Sequence, residues 1–375
     1  MSKIKVLHII KSLGRGGAEM LLQETLKEHN HQQFEFHFIY FLPWKNQMVA
    51  GIEAENGKVT LLPASNNLLI MMKVPQIIQY IKQHHIDLIH AHLPWAGFAS
   101  RLIFKMTKVP VIYSEHNIQD RYHILTKTIN RFTFNWQTKV IAVSSDVAKS
   151  IEQRIHPSVP VEVILNGVNT NQFIRNEMER KAKRTELGVG DDDILIGNIA
   201  VFRFQKRLKE WITTIKKIQA VHPNVKAVLI GDGMLKAEIM QHAKSEGMEN
   251  NIIFPGLQTA IKPWLSAVDI FMMTSSFEGL PIALLEAMSM ETAVVCTDAG
   301  GIKEVIRDKV DGFTVPVDAW DSIIEPIHHL VEHPNEIKTY GQKARARVEA
   351  SFSMKAMVQQ IESCYLTVLK NSKSN

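Results

Sequence analysis

Short apolar runs alternate with amphipathic stretches along the chain, and this alternation predicts parallel sheets with helices on both faces. The strand-like runs of the first half are Val6–Ile10, Phe36–Phe41, Leu88–Ala91, Val109–Tyr113 and Lys139–Val143. Between them, apolar residues at helical spacing occupy Ala18–His29, Pro75–His84 and Ala96–Thr107. A second series has strand-like runs at Ile194–Ile199, Ala227–Ile230, Ile252–Phe254, Ile270–Met273 and Val294–Thr297. The two series predict two doubly wound, Rossmann-like α/β domains in tandem.

The length of 375 residues also favours two domains, because one ordinary core does not grow that large. We place the boundary in the segment Asn166-Gly167-Val168-Asn169, which follows a strand-like run at Val161–Leu165. The predicted domains are residues 1–167 and residues 168–355. A helical pattern over 356–375 predicts a C-terminal helix that can pack back on the first domain.

Composition narrows the class of protein. Hydrophobic residues make up 45% of the chain and charged residues 22%, as in a globular protein that folds in water. Two cysteines exclude a disulfide framework and a cysteine-based zinc site, and they fit a reducing compartment. Apolar runs stay far below the ~18 residues that cross a bilayer. The N-terminal run is too short for a signal peptide, so we expect a cytoplasmic location.

Charge is distributed unevenly between the two halves. Residues 1–165 contain 18 Lys and Arg against 12 Asp and Glu, whereas the remainder contains 25 against 26. A basic front half attracts a phosphorylated acceptor or the inner face of an acidic membrane, and an ordinary solvated surface is the alternative. The sequence has neither a Lys/Arg run nor a zinc knuckle, so we expect no nucleic-acid partner.

The segment from Phe277 to Glu286 carries the most informative chemistry. It follows the strand-like run Ile270–Met273 and places Glu278 and Glu286 eight positions apart, with Pro281 suited to the first position of a helix. The N-terminus of a helix favours a phosphate, and carboxylates accept hydrogen bonds from sugar hydroxyls. A site with both properties suits a nucleotide-sugar.

Other candidate residues also follow predicted strands, where ligands of open α/β sheets bind. Gly16 and Gly17 form a glycine-rich turn without the dinucleotide or P-loop spacing, and a plain strand-to-helix turn is the alternative. Glu115 and His116 follow the fourth strand, and the histidine can donate to a sugar hydroxyl unless its role is structural.

The second half adds a basic loop and two glycine turns. Arg203 and Lys206 follow the run Ile194–Ile199 and can bind phosphate oxygens. Gly231 lies in a turn after the next strand, and Gly300-Gly301 leads to Glu304. Three aspartates at 191–193 precede a strand rather than follow one, so we expect a solvated loop and no metal site there.

Several of these motifs, in this order, resemble the retaining glycosyltransferases of family 4, which have the GT-B fold. The Glu278…Glu286 pair is the most specific of them. The motifs that match are Gly16-Gly17-Ala18-Glu19, Glu115-His116-Asn117, Asn166-Gly167-Val168-Asn169, Arg203 to Lys206, Gly231-Asp232-Gly233, Glu278 to Glu286 and Gly300-Gly301 through Glu304. They extend over nearly the whole chain.

The resemblance implies a role for each residue. Arg203 and Lys206 would neutralise the donor diphosphate without a metal or other cofactor. Glu286 would accept hydrogen bonds from the ribose. Glu278 would bind the donor sugar beside the backbone N–H groups of Gly279 and Leu280. The remaining residues implied are Gly16, Gly17 and Gly231 near the donor, His116 near the reacting sugar, and Glu115 and Glu304 toward the acceptor.

One departure from the family pattern concerns the basic loop. Many relatives place the arginine five positions before the lysine, where this chain has Val201. Arg203 stands three before Lys206, as in other members, so we assign it the arginine's role.

The resemblance thus implies a retaining transferase that moves a sugar from a nucleotide donor to a glycan or lipid-linked acceptor in polysaccharide synthesis. Two alternatives stay open from the sequence. One is a sugar-nucleotide epimerase with the same fold, and the other is a non-catalytic, transferase-like partner subunit.

Overall fold

A computed structural model describes residues 3–14 and 16–373. Contacts divide the chain into two compact units. The first contains Met1–Asn166 and Met354–Asn375, and the second contains Gly167–Ser353. The predicted boundary after residue 167 thus lies one residue from this division.

The first unit is built on a parallel sheet of seven strands in the order β3-β2-β1-β4-β5-β6-β7. Its strands are β1 (Ile4–Ile9), β2 (Phe34–Tyr40), β3 (Lys58–Leu61), β4 (Leu88–His92), β5 (Val111–Glu115), β6 (Lys139–Ala142) and β7 (Val161–Val163). Its helices before the boundary are α1 (Gly17–Glu28), α2 (Val49–Ala54), α3 (Asn67–Met72), α4 (Val74–His84), α5 (Pro94–Thr107), α6 (Ile124–Thr133) and α7 (Ser145–Ile155), with a 3-10 turn at Gln119–Arg121. Strand order reverses between β1 and β4, where ligands of such sheets bind.

The second unit has a parallel sheet of six strands in the order β10-β9-β8-β11-β12-β13. The strands are β8 (Ile194–Val201), β9 (Val225–Asp232), β10 (Ile252–Ile253), β11 (Ile270–Met273), β12 (Ala293–Thr297) and β13 (Phe313–Val315). The helices are α8 (Glu177–Leu187), α9 (Leu208–Val221), α10 (Lys236–Ser245), α11 (Lys262–Ala267), α12 (Ile282–Ser289), α13 (Ile302–Val305), α14 (Ile324–Glu332) and α15 (Pro334–Ser351), with 3-10 turns at Phe204–Lys206 and Val317–Ile323. Strand order reverses between β8 and β11.

The central strands of the second unit are apolar on both faces because helices cover both sides of the sheet. Every residue of β11 and β12 is buried. Trp211 of α9 is fully buried against one face, and its indole N–H donates to the carbonyl of Met272 at 3.0 Å. The other face packs against α11 through Trp264. Packing on both faces holds β8 and β11, the strands that precede the candidate loops, in place.

The last helix, α16 (Met354–Lys373), belongs to the first unit. Its buried residues Met357, Tyr365 and Val368 join the core that contains Phe34 and Phe36. Among the described residues, no helix combines the length and the apolar character needed to cross a lipid bilayer.

Candidate functional site

Two residues that the sequence singled out are in direct contact at the switch point of the second unit. Lys206 follows β8 and Glu278 follows β11, and these two strands are neighbours. The Lys206 ammonium lies 2.6 Å from Oε1 of Glu278, and the Ser275 hydroxyl donates to the same oxygen at 2.6 Å. A backbone hydrogen bond of 2.7 Å from Ser276 to Gln205 joins the two loops. The site therefore contains a prealigned cation and a carboxylate.

Arg203 begins the same basic loop. Its backbone is extended, and its side chain is exposed to solvent. Two aromatic rings lie beside this loop, with the centroids of Phe204 and Phe277 5.9 Å apart and Phe204 70% exposed. The sequence reasoning missed this aromatic pair, although both residues flank predicted site residues.

Helix α12 places Glu286 in its second turn, where the residue is 5% exposed. The sequence predicts Pro281 as the first residue of the helix. In the structure Pro281 is the residue before the helix, and α12 begins at Ile282. The backbone of Pro281 is extended, with ψ 118°, so the helical hydrogen bonds start one residue later. Leu280 is buried beside it. The two acids thus lie on a loop and on the helix that follows it.

The glycines of this unit bring protein backbones together. Gly300 has φ 55°, and a Cβ there would lie 2.0 Å from the carbonyl oxygen of Glu278. The N–H of Gly301 donates to the carbonyl of Gly279 at 2.8 Å. Gly231, with φ 137°, approaches the Ala200 carbonyl as closely. The sequence predicts Gly231 in a turn after the strand, but the structure places it within β9, paired with Ala200 of β8. Gly300 and Gly301 approach the loop that carries Glu278.

Glu304 lies on α13 and is half-buried. Its backbone carbonyl accepts a hydrogen bond from Arg347 of α15 at 3.0 Å. This contact fixes the end of the turn that Gly300 begins.

In the first unit, Gly16 caps α1 and Gly17 is its first residue. The Ser12 hydroxyl donates to Glu19 of the same turn at 2.9 Å. Arg15, which precedes them, lies outside the described residues.

His116 directly follows β5 and is half-buried. Its Nε2 atom is buried with no hydrogen-bond partner among the described residues. Burial lowers the pKa of His116 to about 4, so the ring is neutral at pH 7. A neutral imidazole with an available nitrogen can exchange a hydrogen bond with a bound sugar.

His116 and four other histidines line a cavity of about 40 Å³, which is large enough for water molecules. Its histidines are His8, His29, His90, His92 and His116. Burial lowers the pKa of His8 and His92, and lowers that of His90 to about 3, so these rings are neutral. The sequence reasoning passed over them, although His-Ala-His at the end of β4 puts two imidazoles on one face.

The ring nitrogens of His8, His90 and His92 lie within 4.8 Å of one another, which is the spacing of a metal site. Several of these nitrogens have partners, whereas Nδ1 of His92 is buried without one among the described residues. His8 Nδ1 lies 3.0 Å from His92 Nε2, and His90 contacts the hydroxyls of Tyr365 at 2.7 Å and Ser114 at 2.8 Å. The nitrogens with partners form a hydrogen-bond network, and a metal bound through those nitrogens would break it.

Glu115, the last residue of β5, is completely buried. Its carboxylate accepts hydrogen bonds from the backbone of His116 and Asn117 and from three side chains, so it does not face solvent. Burial raises its pKa, although these donors favour the charged form.

Comparison with known proteins agrees with this architecture. The model of Glycosyltransferase Family 4 matches residues 15–172, and the model of Glycosyl transferases group 1 matches residues 179–347. The chain is 23% identical to the N-acetyl-alpha-D-glucosaminyl L-malate synthase of Bacillus anthracis, over 96% of each chain. It is 21% identical to the UDP-Gal:alpha-D-GlcNAc-diphosphoundecaprenol alpha-1,3-galactosyltransferase of Escherichia coli, over 99% of this chain and 98% of that protein.

Among solved structures, Anabaena Alr3699/HepE in complex with UDP-glucose superposes with a TM-score of 0.87. The identity is 22%, with 97% of this chain and 100% of that chain covered, so the likeness establishes the fold. The transferase and synthase names of these relatives do not favour the epimerase alternative. The two family models together span most of the sequence, and the chain belongs to the group 1 and family 4 glycosyltransferases, with the GT-B fold.

Proposed function

We propose that this glycosyltransferase moves a sugar from a nucleoside-diphosphate-sugar to a glycan or a lipid-linked acceptor, with retention at the anomeric carbon and without a metal. The contact between Lys206 and Glu278 at the switch point carries the proposal. It supports a site in which a cation meets phosphate oxygens and a carboxylate meets sugar hydroxyls, within a few ångströms of each other.

Most of the donor-binding residues lie in the second unit. Arg203 and Lys206 neutralise the diphosphate, whose negative charge grows as the sugar–phosphate bond breaks. Glu286 accepts from the ribose hydroxyls, and Glu278 accepts from the sugar beside the N–H groups of Gly279 and Leu280. Gly231 lies near the donor, paired with Ala200 of β8, three residues before Arg203.

In the first unit, Gly16 and Gly17 lie at the N-terminus of α1, which favours an anion. His116, whose ring is neutral, forms a hydrogen bond with the reacting sugar. Glu304 acts indirectly, since it ends the turn that holds the Glu278 loop.

Retention is explained most simply if the acceptor attacks the anomeric carbon from the same face that the phosphate leaves. A retaining enzyme with a covalent intermediate needs a carboxylate nucleophile at the anomeric carbon. Glu278 already accepts from Lys206 and Ser275, and a carboxylate with two strong donors is a poor nucleophile. Two cations beside the leaving group can supply the charge stabilisation that a metal would supply.

A UDP-sugar is the first donor to test. The Anabaena structure contains UDP-glucose, and the Escherichia coli relative is named for UDP-galactose and a diphosphoundecaprenol-linked acceptor. These relatives also support a role in bacterial glycan synthesis.

We also propose that the protein is cytoplasmic and contacts a membrane through α6. This helix exposes Ile124, Leu125 and Phe132, at 74%, 55% and 75%, beside the exposed Arg131. Its inward face is polar, because Asn130 is buried. An apolar outer face with basic neighbours suits the surface of an anionic bilayer.

Co-sedimentation with vesicles that contain anionic lipid tests this contact. Phe132→Ser should weaken sedimentation, and Met178→Ser, which removes an 81% exposed side chain on α8, should leave it unchanged. Equal sedimentation of all three proteins would refute the α6 surface.

The transfer reaction is tested with a panel of nucleotide-sugars and both glycan and lipid-linked acceptors, in the presence of a metal chelator. The native protein should transfer sugar with retention, and Glu286→Ala should abolish transfer while leaving the protein folded. Conversion of a donor in the absence of any acceptor would indicate an epimerase instead. Full activity of Glu286→Ala would refute the assigned site.

A further inference from the structure

A chain of buried side chains joins helix α5 to the turn that carries His116. The Arg101 guanidinium donates to Oδ1 of Asn130 at 2.7 Å, and the Asn130 amide nitrogen donates to Oε1 of Gln119 at 2.7 Å. The Gln119 amide nitrogen then donates to Oε2 of Glu115 at 2.7 Å. All four side chains are at most 2% exposed, so water does not compete for these bonds.

The two ends of this chain fix the orientation of both amides. A guanidinium can only donate and a carboxylate can only accept. The Asn130 oxygen must therefore face Arg101, and the Gln119 nitrogen must face Glu115. Burial lowers the pKa of Arg101 to about 10, which leaves it a cation at neutral pH. The result is a row of oriented hydrogen bonds that connects a buried cation to a buried carboxylate through two amides.

At its far end, the chain fixes a short piece of backbone. Oε1 of Glu115 accepts from the N–H of His116 at 3.0 Å and from the N–H of Asn117 at 3.2 Å. The Tyr122 hydroxyl donates to the same oxygen, and the Tyr113 hydroxyl donates to Oε2 at 3.1 Å. A shift of this carboxylate would carry the His116 backbone with it.

We propose that Glu115, Gln119 and Asn130 are positioning residues for His116, anchored by the buried cation of Arg101. The inference rests on the role proposed for His116 at the reacting sugar. It replaces the expectation that Glu115 binds the acceptor directly. Because a displacement of about 1 Å at a reacting centre can cost about 10²-fold in rate, such a fixed turn would affect kcat.

The substitution Asn130→Asp tests the proposal with almost no change of shape. An aspartate keeps the contact with Arg101, but it has no N–H for Gln119. The Gln119 amide would then turn its nitrogen toward residue 130 and its oxygen toward the carboxylate of Glu115. Glu115 would lose a donor and face an acceptor, and the turn that it holds would move.

A matched control is available on the other side of the same guanidinium. The Arg101 Nε–H donates to Oε1 of Gln137 at 2.9 Å, and Gln137 is equally buried. Gln137→Glu makes the same amide-to-acid change beside the same cation, outside the chain that leads to Glu115. Gln119→Met is a second test variant, since it removes both bonds of the amide at constant length.

The first readout is the imidazole NMR signal of His116 in protein labelled at histidine, assigned by its loss in His116→Gln. Asn130→Asp and Gln119→Met should shift this signal, and Gln137→Glu should not. The second readout is kinetic. Both test variants should lower kcat by about 10- to 100-fold and change the donor KM by less than about twofold, because none of the proposed donor-binding residues belongs to this hydrogen-bonded chain.

The proposal is overturned if the His116 signal of either folded test variant stays where the Gln137→Glu control leaves it. It is also overturned if all three variants have the same kcat. Absence of transfer by the native protein would instead refute the proposed function, and the NMR comparison would still decide whether the chain positions His116.

Discussion

Gly300→Ala should displace the Glu278 loop, and the structure allows its cost to be divided into two parts. The first part is the left-handed backbone, since φ is 55° and such a conformation costs a residue with a Cβ about 1–2 kcal/mol. The second part is steric. The new Cβ would lie 2.0 Å from the Glu278 carbonyl oxygen, and overpacking of this kind costs about 1–3 kcal/mol.

Gly188→Ala is the matched control, because only the first part applies to it. Gly188 ends α8 with φ 66°, and a Cβ there would have no atom within 4 Å. We expect Gly188→Ala to lower the free energy of unfolding by about 1–2 kcal/mol and Gly300→Ala by about 2–5 kcal/mol. In thermal melts, each kcal/mol corresponds to about 2–4 °C for a domain of this size.

The two variants should differ further in donor binding. Movement of Glu278 and Gly279 weakens the contacts proposed for the donor sugar, so Gly300→Ala should raise the donor Kd about tenfold or more, whereas Gly188→Ala should leave it unchanged. Equal destabilisation and equal donor affinity in the two variants would show that Gly300 does not hold the Glu278 loop.

Two further predictions concern charge. Lys206→Ala should lower kcat by about 10²–10³-fold, as the loss of one preorganised donor does. Lys209→Ala, which breaks an exposed pair with Glu238, should leave kcat unchanged. Equal rates for the two variants in steady-state kinetics would contradict the role assigned to Lys206. Acid should destabilise the first unit, because burial lowers the pKa of His90 to about 3 from an unfolded value of about 6.5. The free energy of unfolding is then highest well above pH 6.5, and it falls by about 1.4 kcal/mol per pH unit for each such histidine as the pH drops from about 6.5 toward the folded pKa. Urea unfolding with the same midpoint at pH 7.5 and pH 5.5 would exclude this.

The pattern of apolar runs predicted most strands, and the differences have local causes. Strand β11 has the predicted bounds, since its run is uninterrupted. Strand β5 begins at Val111 rather than Val109 because Pro110 has no N–H for the ladder. The edge strand β3, with four residues and no fully buried one, gave no apolar run to detect.

The order of strands and loops along the sequence predicts which candidate residues lie close together in the fold. Lys206 and Glu278 lie 72 positions apart, and their meeting follows from the neighbouring strands that precede them. Their direct pairing could not be predicted, because it depends on side-chain geometry. The burial of Glu115 could not be predicted either, because its donors, including Gln119 and Tyr122, come from outside β5.

The proposed function requires that the second unit binds a nucleoside-diphosphate-sugar through the acids of the Glu278…Glu286 segment. Thermal melts of the native protein and of Glu286→Ala, each with a panel of nucleoside-diphosphate-sugars and a metal chelator, test it most directly. At 100 times its Kd, a ligand that binds only the folded state stabilises it by about 2.7 kcal/mol, or roughly 5 °C or more here. We expect such a shift with at least one nucleotide-sugar for the native protein and none for Glu286→Ala. Equal shifts in both proteins, or no shift with any member of the panel, would contradict it.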